Sequence, residues 1–183
     1  MSALQIKIIQ LQFLVLATAT STHCFSQENI SNEMLELSIS GHCISYPNTW
    51  EPDTSGSMGS VFFLHSPLLD EEDQFSENIN LVLQNLPKKG MKSSAYLDLT
   101  LKGIKTYLTD YTIIENKKTK KNGKQCYVLE YAGSMNDFEL HFLQYIWVQK
   151  DKVQILTFTA QGHSFEYYRL LATQIMESMK SKC

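Results

Sequence analysis

The chain has 183 residues, 43% of them hydrophobic, and a formal net charge of −3, which fits one globular domain. The slight acidic excess argues against a nucleic-acid-binding protein, because such proteins need a basic surface that displaces counterions from phosphates. We therefore expect a single folded domain with no nucleic-acid partner.

The N-terminal segment is predicted to be a cleaved export signal. Lys7 gives the segment a positively charged N-terminal region, and residues 8–19 form an apolar run of about 12 residues. This run is well below the roughly 20 residues that a membrane-spanning helix needs. Small residues at Cys24 and Ser26 favour cleavage between Ser26 and Gln27.

The predicted organisation is therefore a signal peptide over 1–26, a leader over 27–39 and a single domain over 40–183. The protein is expected to be exported, either periplasmic or secreted, with no stable membrane span after cleavage. Two alternatives stay open: an uncleaved anchor, and lipidation at Cys24, where His23 occupies a position that the lipoprotein signal reserves for a small residue.

Three cysteines remain after cleavage, Cys43, Cys126 and Cys183. An odd number in an oxidising compartment allows at most one internal disulfide and leaves at least one thiol. Cys43 and Cys126 fall in strand-like runs, where an unpaired cysteine packs as a small hydrophobe; a disulfide between them stays open as the alternative. Cys183 is predicted to be exposed and could link two copies of the chain as a dimer.

The first half of the domain contains three predicted strands, over residues 43–46, 61–65 and 79–84. The first strand stops at Tyr46-Pro47, because proline cannot donate to a sheet, and Trp50 follows as an aromatic anchor. The acidic run at 70–73 lacks the alternating ligands of a calcium loop and is predicted to be a solvated loop.

Two amphipathic helices are predicted. The first begins near Ser93 or Ser94, either of which can cap it, and the second begins at Ser164 as its N-cap. Their apolar stripes are Leu97, Leu101, Ile104 and Leu108 in the first helix, and Phe165, Tyr168, Ala172, Ile175 and Met179 in the second.

Between the helices lie four predicted strands, over 111–119, 125–132, 138–149 and 153–160, with Asn122-Gly123 as a hairpin turn. Grouped strands predict an α+β fold, here an antiparallel sheet of about six to seven strands flanked by helices on both faces. Strand 138–149 favours two covered faces, because apolar residues occupy both of its sides. One side carries Phe138, Leu140, Phe142, Ile146 and Val148, and the other carries Leu143, Tyr145 and Trp147.

These elements resemble the PsbP-like fold superfamily, which includes PsbP, the Ran-binding Mog proteins and exported proteins similar to DcrB. The resemblance covers about residues 40–180. It depends on the Tyr46-Pro47 and Trp50 element, the strand at 77–83, the Asn122-Gly123 hairpin, the strand at 155–160 and the closing helix. It implies an antiparallel sheet with helices and a binding or accessory role, but it transfers neither a partner nor a functional residue.

No catalytic, metal or cofactor site is predicted. His42, His65, His141 and His163 do not have the spacing of zinc motifs. The run 162–164 resembles part of a nucleophile elbow, but Glu166 stands where the second glycine is required.

Two surface features are candidates for binding. Five lysines surround the hairpin turn, where they protect an exposed edge or form a docking patch for an acidic partner or membrane headgroups; they are Lys117, Lys118, Lys120, Lys121 and Lys124. Trp50, Tyr145 and Trp147 are predicted to be core residues and not a recognition surface.

The sequence therefore predicts a non-catalytic exported accessory or protein-binding domain of the cell envelope. Its expected partner is another envelope or secreted protein. The alternative is a carrier of a small apolar ligand held between a helix and the sheet.

Overall fold

A computed structural model describes residues 33–181 and 183. The elements in chain order are β1 (Met34–Ile39), β2 (His42–Pro47), β3 (Glu51–Asp53), β4 (Phe62–His65), β5 (Asn78–Asn85), α1 (Ser93–Tyr107), β6 (Thr109–Lys121), β7 (Lys124–Met135), β8 (Phe138–Gln149), β9 (Lys152–Gln161), α2 (Phe165–Ser178) and β10 (Lys180–Ser181). The predicted signal peptide, its cleavage site between Ser26 and Gln27, and the alternative lipidation site Cys24 lie outside the described residues.

The strands form two antiparallel sheets. The larger has seven strands in the order β3-β4-β5-β9-β8-β7-β6, and the smaller has three in the order β1-β2-β10. The β5–β9 pairing, which runs from Asn78 opposite Thr159 to Asn85 opposite Lys152, joins the N-terminal strands to the β6–β9 meander. The predicted antiparallel α+β architecture is confirmed at this level.

Buried side chains form two clusters, one with each helix. The α2 cluster includes Trp50, Tyr168 and Ile175, and the α1 cluster includes Leu97 and Ile104. Strand β8 contributes alternately: Leu143, Tyr145 and Trp147 belong to the α2 cluster, whereas Leu140, Phe142 and Ile146 belong to the α1 cluster. The period of two in β8 therefore fills two separate cores.

Three strands were not predicted. Strand β1 lies inside the segment expected to be a leader and pairs with β2, with Leu35 opposite Tyr46. Its side chains are mostly exposed, so its hydrophobic pattern is weak, while β3 and β10 have only three and two residues. The predicted serine cap of α1 is wrong, because Lys92 occupies the N-cap position and makes no side-chain cap bond among the described residues.

A disulfide joins Cys43 of β2 to Cys183, with their Cα atoms 5.8 Å apart. Two predictions are therefore corrected: Cys43 is not a lone buried thiol, and Cys183, although exposed, is not free to link two chains while this bond is intact. The reason is the β10–β2 pairing, which sets Lys180 opposite Cys43 and brings the end of the chain to β2.

Cys126 is the cysteine that stays unpaired within the described chain, as a small buried hydrophobe at 1% exposure. Burial raises the pKa of its thiol to about 11, so the reactive thiolate is disfavoured. The open alternative, a bond between Cys43 and Cys126, does not form in this structure.

Candidate functional site

The four histidines considered for metal binding lie apart, in β2, β4, β8 and the turn before α2. His42 Nδ1 lies 3.0 Å from the carbonyl oxygen of Ser40, and His163 is exposed. Burial lowers the pKa of His65, against the opposing charges of Asp53 and Glu51. Within 33–181 and 183, no group of three or more His, Cys, Asp or Glu is placed to hold a metal ion.

The acidic loop binds its own backbone. Asp70 Oδ1 accepts hydrogen bonds from the amides of Glu72 and Asp73 at 2.8 and 3.0 Å. Asp73 accepts from the amides of Leu69 and Phe75 at 2.9 and 3.0 Å. These carboxylates therefore serve as turn-forming acceptors.

The lysine hairpin is partly tied to the rest of the domain. Lys121 pairs with Glu177 of α2 and lies 4.9 Å from the centre of the Tyr145 ring. Lys117 pairs with Glu115 at 2.7 Å on the same strand.

The aromatic residues Trp50, Tyr145 and Trp147 are each 3% exposed. They therefore belong to the core, as predicted, and do not form a recognition surface.

A buried carboxylate in β7 anchors the middle of α2. Glu130 is 3% exposed and receives two hydrogen bonds from Arg169, at 3.0 Å to Oε1 and 2.7 Å to Oε2. His141 Nε2 lies 3.0 Å from Oε1, and its ring stacks on Phe165. Burial lowers the pKa of His141, although Glu130 opposes that shift. We call Glu130, His141 and Arg169 the α2 anchor.

A second buried carboxylate holds the start of α2. Glu77 is 1% exposed, and its two oxygens accept hydrogen bonds from Ser164 and, at 3.2 Å, from Ser66. Ser164 occupies the N-cap position as predicted, but no side-chain cap bond is formed there among the described residues. Its hydroxyl is buried and donates a hydrogen bond to Glu77, so Ser164 is not an exposed nucleophile in the run 162–164.

The other helix covers a small cavity whose floor is unexpectedly polar. Five polar side chains from three central strands share this floor: Asn78, Asn80, Gln144, Thr157 and Thr159. Their positions follow from strand register, because Thr157 of β9 lies between Asn80 of β5 and Gln144 of β8. We call these residues the polar floor.

The walls of the cavity are apolar or aromatic: Ile104, Tyr107, Leu108, Tyr131, Met135 and Phe142. Water-sized spheres can occupy about 60 Å³ inside. Tyr107 is 45% exposed and therefore marks the rim. Burial raises the pKa of Tyr131 far above its ordinary value, so its phenol stays neutral at the cavity wall.

Gly133 of β7 positions the end of α1 over this cavity. A Cβ atom at this residue would lie 3.0 Å from Leu108 Cβ and 3.1 Å from both Thr109 O and Tyr111 Cα. Any larger residue here would require the backbone at the α1–β6 junction to move away by a few tenths of an ångström. Leu108, which follows α1, is thereby held against the sheet as a cavity wall.

Within the polar floor, the amide of Gln144 is incompletely bonded. Its Nε2 donates to Thr157 Oγ1 at 3.2 Å, whereas its Oε1 is buried and has no hydrogen-bond partner among the described residues. This site was not predicted from the sequence. The available signal was the occurrence of polar residues, such as Asn80 and Thr157, at alternate positions of otherwise apolar central strands.

A larger, open groove of about 390 Å³ lies at the far end of the sheet. Leu83, Gln154 and Trp147 form a cross-strand row in its floor, and His42 of the smaller sheet lines it. Gln154 occupies an even position in β9, whereas Thr157 and Thr159 occupy odd ones, so this cross-strand row is on the opposite face from the polar floor.

Solved structures that share the fold include the following three. LpqN of Mycobacterium tuberculosis, described as involved in cell envelope biogenesis, has a TM-score of 0.61 at 14% identity, covering 82% of this chain and 91% of that one. Cyanobacterial PsbP (CyanoP) from Synechocystis sp. PCC 6803 has a TM-score of 0.59 at 17% identity, covering 87% of this chain and 98% of that one. The protein of unknown function PA94 from Pseudomonas aeruginosa has a TM-score of 0.54 at 13% identity, covering 79% of this chain and 94% of that one.

At these identities the likeness establishes the fold alone. No curated protein matches the sequence. Within the described part of the chain, no helix is long and apolar enough to cross a membrane. The sequence profile of the DcrB family matches residues 42–178, from the start of β2 to the end of α2. The chain therefore belongs to the DcrB family and has the PsbP-like fold.

Proposed function

We propose that the protein is a non-catalytic accessory domain of the cell envelope that acts by binding another envelope protein. Membership of the DcrB family and the fold shared with LpqN, a protein of cell envelope biogenesis, support this placement. In this proposal α1 and α2 cover opposite faces of the seven-stranded sheet. That arrangement would leave the outer side of α2 available for a partner.

The observation that carries the proposal is an apolar pair on α2. Tyr167 and Leu170 are 73% and 72% exposed and lie three residues apart, on the same side of the helix. Tyrosine is enriched where proteins bind one another, because it offers a large rigid apolar surface with a polar tip. We infer that this pair contacts the partner.

A site-specific cross-linking experiment tests the proposal. A photoreactive phenylalanine analogue placed at Tyr167 of the full chain, expressed in its own host, should give one discrete adduct in the envelope. The same analogue at Lys102, an exposed position of α1, is the matched control and should give none. Identical adducts at both positions, or no adduct at Tyr167, would contradict the proposal.

The second candidate is a carrier of a small apolar ligand, favoured by the cavity under α1. Its apolar walls suit such a ligand, but about 60 Å³ is far below the roughly 300–1,000 Å³ of sites that enclose a drug-sized molecule. Only one end of such a ligand would be enclosed. Native mass spectrometry of protein purified from its own host should show a co-purifying mass, and repeated absence of that mass would remove this candidate.

A further inference from the structure

The cavity under α1 combines apolar walls with an incompletely bonded buried amide. Gln144 is 6% exposed, and its Oε1 has no hydrogen-bond partner in the described part of the chain. A buried acceptor without a partner loses the hydrogen bonds that water gave it in the unfolded chain, and this loss raises the free energy of the folded state. A ligand that donates a hydrogen bond to Gln144 in the polar floor would recover part of that free energy.

The charge of the cavity restricts what can satisfy Gln144. All the described residues that line it are uncharged, including the phenol of Tyr131. A carboxylate or an ammonium group would therefore lose its hydration without gaining an opposite charge. A hydroxyl group avoids this penalty. It can both donate and accept, so it can bond the Gln144 amide in either orientation of its oxygen and nitrogen.

The size of the cavity restricts how much of a ligand is enclosed. A volume of about 60 Å³ holds only about four water-sized groups, which corresponds to a hydroxyl and a few carbons. The remaining part of a longer molecule would pass the rim at Tyr107, which is 45% exposed. Ile104 and Phe142 would contact the first carbons.

We propose that the cavity under α1 binds the hydroxyl-bearing end of a neutral amphiphile, with the Gln144 amide as the polar contact and the apolar walls around the first carbons. This inference rests on the second candidate function, the small-ligand carrier. It adds the chemical class of the ligand, which is a neutral alcohol and not a fatty acid. It also identifies the Gln144 amide as the polar contact that favours an alcohol over a fatty acid.

The test compares 1-hexanol with hexanoate, which have the same chain length and differ in the head group. Each is titrated into the isotopically labelled protein while backbone amide resonances near Ile104 and Phe142 are followed by NMR. Hexanol should shift these resonances to saturation, and hexanoate should bind at least about fivefold more weakly. Gln144→Met, which keeps the side-chain length, should weaken hexanol binding by about fivefold.

The matched control is Gln154→Met, which changes the same residue type on the opposite face of the sheet and should leave hexanol binding unchanged. Equal binding of the two probes, or unchanged affinity in the Gln144 variant, would overturn the proposal while leaving the carrier candidate standing. Failure of both probes to bind the wild type would overturn the proposal, and the native mass spectrometry described above would then decide the carrier candidate separately. If the Gln144 variant fails to fold, the comparison of the two probes on the wild type decides.

Discussion

Replacing Arg169 with methionine should destabilise the protein by leaving a buried carboxylate without its cation. Arg169 supplies two hydrogen bonds to Glu130, at 3.0 and 2.7 Å, and Glu130 is only 3% exposed. His141 remains as a neighbour 3.0 Å away, but its pKa is lowered by burial. It is therefore a poor substitute for a permanent cation near neutral pH.

The expected magnitude follows from the exposure of each partner. Removing one partner of a fully buried ion pair costs about 3–5 kcal/mol. The side chain of Arg169 is 42% exposed, so solvent already screens part of the pair, and we expect a loss of about 2–3 kcal/mol. The assay is urea-induced unfolding at neutral pH with the disulfide intact, followed by tryptophan fluorescence.

Two further variants separate the mechanism from a general effect of altering α2. Glu166→Gln removes the second carboxylate that pairs with Arg169. Because the side chain of Glu166 is 74% exposed, this change should alter the free energy of unfolding by only about 0.5 kcal/mol or less. Adding Glu130→Gln to Arg169→Met should recover stability, since no buried charge is then uncompensated. If Arg169→Met costs no more than Glu166→Gln, the reasoning about Glu130 is wrong.

Three other perturbations address the disulfide, the partly buried His141 and the aromatic anchor Trp50. Cys183→Ser removes a cross-link between positions 140 residues apart and should lower the free energy of unfolding by about 3–5 kcal/mol, measured by urea titration beside the reduced wild type. Lowering the pH below about 6.5 should reduce stability, because the pKa of partly buried His141 is lowered in the folded state and the unfolded chain therefore binds a proton at this residue more readily; His141→Asn should flatten that part of a profile of melting temperature against pH. Trp50→Ala should cost about 3–5 kcal/mol, since Trp50 is 3% exposed and packs edge-on against Tyr168, and calorimetry should show the lower melting temperature.

Each of these expectations has a contrary result. Equal stability of the oxidised and reduced wild type would mean that the Cys43–Cys183 bond constrains the unfolded chain little. An unchanged pH profile in the His141 variant would assign the acid limb to other groups, such as His65, whose pKa burial also lowers. A Trp50 variant that keeps its melting temperature but loses its cross-linked partner would make that residue a recognition element.

Local patterns were sufficient for the helices and the meander. The two helical stripes end at the C-cap residues Leu108 and Met179, and the alternation along residues 138–149 lies within β8, so each period was visible in a short stretch of sequence. The Tyr46-Pro47 and Trp50 element was also interpreted correctly as a core anchor, since Trp50 is 3% exposed.

Features that depend on long-range pairing were not predictable from one sequence. Cys43 meets Cys183 only because β10 pairs with β2, and the sequence gives no register for a two-residue strand. The polar floor has the same origin: Asn80, Gln144 and Thr157 belong to three strands, and only their register places them side by side. The contact between Glu130 and Arg169 likewise depends on how α2 crosses the sheet.

The β5–β9 pairing also has a kinetic consequence. The β6–β9 meander can form by successive hairpins, whereas β5 must find β9 across α1 and three intervening strands, so this pairing carries the high contact order that slows folding. Asn80 and Thr157 face each other across it, which means that the cavity floor is completed only when this late step is complete. A molecule bound there would favour the closed pairing by mass action, so occupancy would lengthen the lifetime of the folded domain by slowing the opening of its central strands.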